Sequence, residues 1–177
     1  GSPYAVAKAA AALYARFFHS LYATPVVTAR IFMVYGPGQV DHTKLVPYSI
    51  LRALRKEAPR LTSGTRPVDW IFIDDVVAGL LAAGEVAGIE GETFDLGSGE
   101  LITVRPIVEK ICHALAAPPP EIGALADRPL EAVRRASIAK SISRLGWRPQ
   151  VGLEEGLHRT IVGLRGELAS GAHVVRS

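Results

Sequence analysis

VDWIFIDDVVAGLLAAGEVAG, residues 68–88, decides the fold, because a strand runs straight into a helix there. Residues 68–73 are β-branched and aromatic, the composition of a strand. Asp74 and Asp75 follow at once and suit an N-cap and first helical turn for VVAGLLAAGEVAG, where a carboxylate meets unpaired amides. That position favours capping over a catalytic carboxylate pair. Upstream, TPVVTARIF (24–32) is apolar and β-branched without alternation, as a strand covered on both faces must be. VYGPGQ then reads as a turn. Pro47 opens a helix, PYSILRALRKEA, with an apolar stripe through Ile50, Leu51 and Leu54.

Downstream, ETFDLGS is a third strand, and Thr103 caps a helix that runs to Ala116 and stops at Pro118-Pro119-Pro120. Ser137 caps a short helix closed by Gly146, and LEEGLHRTIVGLRGEL forms the last helix. At the other end, Pro3 begins an alanine-rich helix with Ser2 as its cap, ending near Ala23. Strands alternating with helices imply an α/β fold with a parallel sheet. Gly84, Gly88 and Gly91 imitate a glycine-rich phosphate loop. They follow a helix and precede a strand, the reverse of the order such a loop needs, so they are turn glycines.

A chain of 177 residues, 49% hydrophobic, can bury a sizeable core and is not disordered. No apolar run is long enough to span a bilayer, and no secretory signal is present, so a cytoplasmic home is expected. The single cysteine, Cys112, sits in IVEKICHALA and reads as a buried helix position. The net charge of +3 rests mostly on scattered arginines, without the basic and aromatic stripe of a nucleic-acid groove. Arginine grips phosphate bidentately, so a small phosphorylated ligand is the better expectation. His42, His113 and His158 lack ligand spacing, and no metal is expected. Trp70 and Trp147 read as core anchors.

Tyr4 and Lys8, four apart in SPYAVAKAAAALYARFF, share one helix face. A free tyrosine titrates near pH ~10, and an adjacent ammonium favours the phenolate, which makes a general base for a sugar or alcohol hydroxyl. The spacing alone also fits a plain exposed pair.

In order along the chain, Tyr4-x-x-x-Lys8, ARIFMVYGPGQ (29–39), VDWIFIDDVVAGLL (68–81), FDLGSGELITV (94–104) and LGWRPQVGLEEGLHRTI (145–161) carry a resemblance. The set resembles the extended short-chain dehydrogenase/reductases, and within them the nucleotide-sugar epimerases and dehydratases that include UDP-glucose 4-epimerase. It runs from Pro3 to about Leu168 and is similar to the C-terminal half of such an enzyme. The family's glycine-rich dinucleotide loop, first five strands and catalytic Ser/Thr all precede the tyrosine and are not in these residues. The resemblance therefore implies a Rossmann-sheet remainder at 1–40, 68–84 and 92–116, with a small, mostly helical substrate-binding part at 41–67 and 117–170. It also implies a chain inactive by itself.

By the resemblance, Tyr4 is the acid/base and Lys8 supports it while contacting the nicotinamide ribose. Ile31 lies in the segment beside a nicotinamide dinucleotide, NAD or NADP with NAD favoured. Met33 falls where relatives carry a substrate-contacting asparagine, a contact its side chain cannot make. Lys44 and Leu45 align with the segment that clamps a nucleotide-diphosphate sugar at a helix start. Relatives grip the diphosphate with two arginines. The first normally stands where this chain has Val68, which leaves Arg66 two residues, or about 7 Å, away along a strand. The second corresponds to Arg128, in a stretch whose usual Gly-Asp is altered and which carries Glu131 three residues on. Ala9, Ala10, Leu13, Phe17 and Leu21 make a stripe that in relatives forms a two-fold dimer interface, so a homodimer through helix 4–22 is expected. Nucleic acid and membrane are not expected partners. The alternative from another class is a non-catalytic module that binds nucleotide sugars or a partner chain with an incomplete Rossmann fold.

Overall fold

The computed structural model describes residues 3–127 and 133–170. Ser2, Arg128 and Glu131 lie outside the described residues. The chain forms α1 (Pro3–Tyr22), β1 (Thr28–Ile31), β2 (Met33–Tyr35), α2 (Leu45–Leu54), β3 (Pro67–Phe72) and α3 (Ile73–Glu85). β4 (Thr93–Leu96), β5 (Leu101–Thr103), α4 (Val104–Ala114), α5 (Ala139–Leu145) and α6 (Leu153–Ala169) complete it. It is an α/β fold built on parallel pairing, as expected.

Of the segment expected as a strand, 24–32, only Thr28–Ile31 forms β1, and a second strand, β2, follows it after Phe32. β1 pairs in parallel with β4 from Thr28↔Thr93 to Ile31↔Leu96, and β2 pairs in parallel with β3 from Met33↔Trp70 to Tyr35↔Phe72. Phe32 is the hinge between them, its amide donating to Leu96 O at 3.0 Å. The extended chain thus changes partner without turning, and Val34 and Tyr35 belong to a strand rather than to the expected turn. β5, which was not expected, joins β3 antiparallel from Pro67↔Thr103 to Asp69↔Leu101.

β3 lacks alternation because both its faces are covered. Val68, Trp70 and Phe72 enter one core with Tyr35, Ile50, Ile107, Ile111, Leu157 and Ile161. Ile71 points into a second with Val76, Phe94, Leu96, Leu145 and Trp147. Both tryptophans are anchors, with Nε1 donating to Ile102 O and Asp75 O respectively. Cys112 is buried, and burial pushes its thiol pKa up.

Several helix boundaries differ from expectation. Pro47 is the third residue of α2 rather than its first, a first-turn place where its absent N–H costs nothing. Asp74 and Asp75 stand in the first turn of α3, as expected, but neither caps it; the N-cap is Phe72. They bond farther afield: Asp75 accepts the amides of Gln150 at 2.9 Å and Val151 at 3.0 Å, while Asp74 pairs with Arg159. The α5 cap is Ile138 rather than Ser137, whose amide donates to Asp95 Oδ2 at 2.9 Å. Thr103 does stand at the α4 cap but makes no side-chain capping bond. Gly146 closes α5 at φ 64°, as expected. No helix among the described residues is long and apolar enough to cross a membrane.

Tyr35 lies edge-on to Trp70 and Phe72, at 6.3 and 5.7 Å between centroids. Burial, helped by the Asp75 and Glu155 charges, pushes its phenol from 10.0 to about 12. A raised phenol pKa favours the fold below the unfolded value and loses that contribution as pH rises through the folded one. The stability advantage of wild type over Tyr35→Phe should therefore hold below pH 10.0 and shrink toward pH 12. Urea unfolding across that window checks it, and a constant difference would contradict it.

Candidate functional site

Sites in open α/β sheets form where neighbouring strands diverge. Here that point is Phe32, between the end of β4 and the start of β3. A cleft of about 130 Å³ opens there, lined by Phe32, Met33, Arg66, Pro67, Val68, Asp69 and Arg134. The volume is below the roughly 300–1,000 Å³ of a whole ligand pocket and suits a phosphate or two rather than an entire nucleotide sugar. Its lining is apolar apart from Asp69 and two arginines, the residue type that binds phosphate oxygens in pairs.

The structure brings Met33 and Arg66 together in this cleft. Val68, which the resemblance aligned with the first of the two arginines, is buried in the first core and also borders the cleft. Arg134 was not singled out from the sequence, although it lies in the same arginine-containing stretch as Arg128. Only the return of the chain past β3 places it at the cleft. Lys44 is the N-cap residue of α2, and its exposed ammonium stands 3.5 Å from the Asp41 carboxylate. Leu45 is packed against the core. The Asp41 carboxyl is held below the usual range chiefly by its bonds from Thr43, then by Lys44.

Asp69 forms part of the cleft wall and is 2% exposed. Its Oδ1 accepts the Ser98 amide at 2.7 Å and hydroxyl at 2.8 Å, and its Oδ2 accepts the amides of Gly99 at 3.1 Å and Ala136 at 2.9 Å. A lone charge inside an apolar strand was the sequence signal for it. Close by, buried Asp95 accepts Arg30 Nε at 2.6 Å.

Tyr4 and Lys8 meet on α1, with Lys8 Nζ 5.6 Å from the Tyr4 ring centroid. Tyr4 is 71% exposed, and no residue of α1 is buried. The helix meets the body at His19, whose Nδ1 contacts Thr24 O at 3.0 Å. Ile31 is half exposed on β1, whose second edge carries no strand among the described residues. An open sheet edge and an exposed helix bearing Tyr4 and Lys8 are thus presented by the same end of the sheet sequence. Among the described residues, no group of three or more His, Cys, Asp or Glu is placed to hold a metal. Gly36, Gly38, Gly97 and Gly99 follow strands, but the helix N-caps of known position are Lys44, Phe72, Thr103, Ile138 and Gly152. No described strand therefore leads through a glycine turn directly into a helix, as a dinucleotide cradle requires.

This fold and site place the chain in a class that comparison with known proteins defines. The family model "NAD dependent epimerase/dehydratase family" matches residues 1–97. The chain is 34% identical to a dTDP-glucose 4,6-dehydratase of Neisseria gonorrhoeae over 173 residues, covering 90% of this chain and 49% of that protein. It is 31% identical to a UDP-glucose 4-epimerase of Mycolicibacterium smegmatis, covering 90% and 52%. The crystal structure of a UDP-glucose 4-epimerase with UDP-glucose from Thermotoga maritima superimposes with a TM-score of 0.87 at 29% identity, over 95% of this chain and 55% of that one. The chain belongs to the NAD-dependent epimerase/dehydratase family. It spans about half the length of the curated relatives it matches.

Gly97, packed behind Asp69 and Phe32 of the cleft, has no room for a side chain. An added Cβ would stand 2.5 Å from Ala136 Cβ, 3.0 Å from Asp69 Oδ1 and 3.1 Å from Phe32 Cγ. Gly97→Ala should therefore cost about 1–3 kcal/mol of stability, read by urea unfolding. An unchanged midpoint would mean that the strands part freely at this point.

Proposed function

We propose that this chain is the acid/base and substrate-binding part of a nucleotide-sugar epimerase or dehydratase. Tyr4 takes the proton from a sugar hydroxyl, and the Lys8 ammonium supports the phenolate that accepts it. Arg66 and Arg134 bind the diphosphate, with Arg128 as a further contact from the same stretch. Phe32 and Met33 keep water from the apolar wall between the arginines. Lys44, beside Leu45 at the start of α2, adds a positive charge toward the nucleotide sugar. The observation that carries this reading is the Lys8 ammonium lying over the exposed Tyr4 ring on a helix that buries no residue.

The residues present fit one end of a nicotinamide dinucleotide, since Tyr4, Lys8 and Ile31 stand exposed while the described helix starts offer no glycine cradle. When bound, NAD supplies the hydride acceptor. Those three residues hold its nicotinamide end, and the remaining contacts come from strands beyond the open edge of β1. These 177 residues alone accordingly do not turn substrate over. A nicotinamide-nucleotide complex formed by them in calorimetry would contradict that.

In the active protein that contains this chain, Tyr4→Phe should lower kcat about 10²–10⁴-fold with UDP-glucose or dTDP-glucose as substrate. Affinity for UDP should barely change, because the phenol acts on the reacting hydroxyl. Sugar products followed by NMR separate 4-epimer from 4-keto-6-deoxy product. Near-normal turnover removes Tyr4 from the mechanism.

Exposure of Val6, Leu13, Phe17 and Leu21 on α1 supports a homodimer formed by this helix and its two-fold mate. Light scattering at micromolar concentration should give a dimer mass, and Phe17→Glu should shift it toward monomer. A monomeric wild type contradicts the dimer. One observation favours the second reading, a nucleotide-sugar-binding module without turnover: the arginine cleft lies within this chain, whereas the dinucleotide cradle does not.

A further inference from the structure

Asp69 places an acidic side chain in a cleft that also holds Arg66 and Arg134, which at first sight opposes an anionic ligand. Its hydrogen bonds resolve the conflict. Each oxygen takes two donors, three of the four being backbone amides, and that spreads its charge into the fold. The donors come from two segments far apart in sequence: the turn after β4, and the stretch that carries Arg134.

Ala136 is the connection. Its amide is fixed to Asp69 Oδ2 at 2.9 Å, and the next amide, Ser137, is fixed to Asp95 Oδ2 at 2.9 Å. Arg134 is two residues before Ala136, so its Cα is held within about 7 Å of that anchored amide. Ala136 is itself buried, and it fills the space beside Gly97. The backbone that delivers the guanidinium to the cleft is thus registered against β3 by one side chain.

We infer that Asp69 is a positioning residue of the phosphate cleft: by holding the Ala136 amide it sets where Arg134 stands. This rests on the diphosphate assignment made above. Asp69 touches no phosphate in this scheme. It acts through the backbone, and its effect must therefore vanish when Arg134 has nothing left to position.

A double-mutant cycle tests this, with UDP titrated into the protein by calorimetry. Arg134→Ala should weaken UDP binding roughly 10- to 100-fold, as loss of a charged hydrogen-bonding partner does. Asp69→Asn, which keeps the size but replaces one acceptor oxygen with a donor, should weaken UDP several-fold in the Arg134 background and leave it unchanged in the Arg134→Ala background. An equal loss in both backgrounds, or none in either, overturns the positioning role. Ser98→Ala, which removes one donor to Asp69 and spares Ala136, should leave UDP affinity unchanged, and a loss as large as that of Asp69→Asn would count against the Ala136 route. Should Asp69→Asn be unfolded at the assay temperature, Ala136→Pro takes its place in the cycle. It deletes the coupling amide and also fixes φ at 136 and restricts Arg135, so a loss confined to the Arg134 background supports the route and an equal loss in both backgrounds overturns it. If Arg134→Ala itself leaves UDP affinity unchanged, the diphosphate assignment fails instead.

Discussion

Three carboxylates withdrawn from water, Asp69, Asp75 and Asp95, hold the later segments of the chain onto its strands. Asp75 receives the two amides that lead into α6, and Asp69 and Asp95 receive the amides of Ala136 and Ser137. A buried carboxylate without donors would cost several kcal/mol, and the loop amides alone would also lie unpaired. Each group supplies what the other lacks. The arrangement lets irregular backbone at 133–138 and 146–152 lie against a core where loops seldom run.

The division of the strand at Phe32 follows from the same economy of pairing. β1 and β2 are nearly continuous, yet one pairs with β4 and the other with β3. The two partners must separate at that residue, and the cleft is the gap that results. Gly97 allows the close approach on one side, and the return of the chain through Ala136 closes the other. The cleft is therefore a product of sheet topology, with its chemistry set by which side chains border it. Phe32, Met33, Pro67 and Val68 contribute an apolar wall, and Arg66 and Arg134 contribute charge.

α1 differs from every other helix among the described residues. The other helices bury residues against the two cores, whereas α1 buries none and keeps its large apolar side chains in solvent. Apolar area of that kind costs about 25 cal/mol per Å² while it stays wet, so the helix is suited to a surface outside these residues. The open edge of β1 has the same character, since unpaired strand groups seek a partner strand. Both features agree with a chain that spans about half of its relatives' length.

Local chemistry alone determined most elements. β-branched runs named the strands, proline and glycine marked helix ends, and the four-residue interval put Tyr4 and Lys8 on one face, because these depend on neighbours in sequence. The same logic failed wherever a side chain preferred a distant partner. Asp75 has the composition of a cap, yet its carboxylate takes the amides of Gln150 and Val151. The split at Phe32, the short β5, and the meeting of Arg66 with Arg134 were decided only by the tertiary structure. Each joins residues 30 or more apart in sequence, and no local propensity records which amide a buried carboxylate will hold.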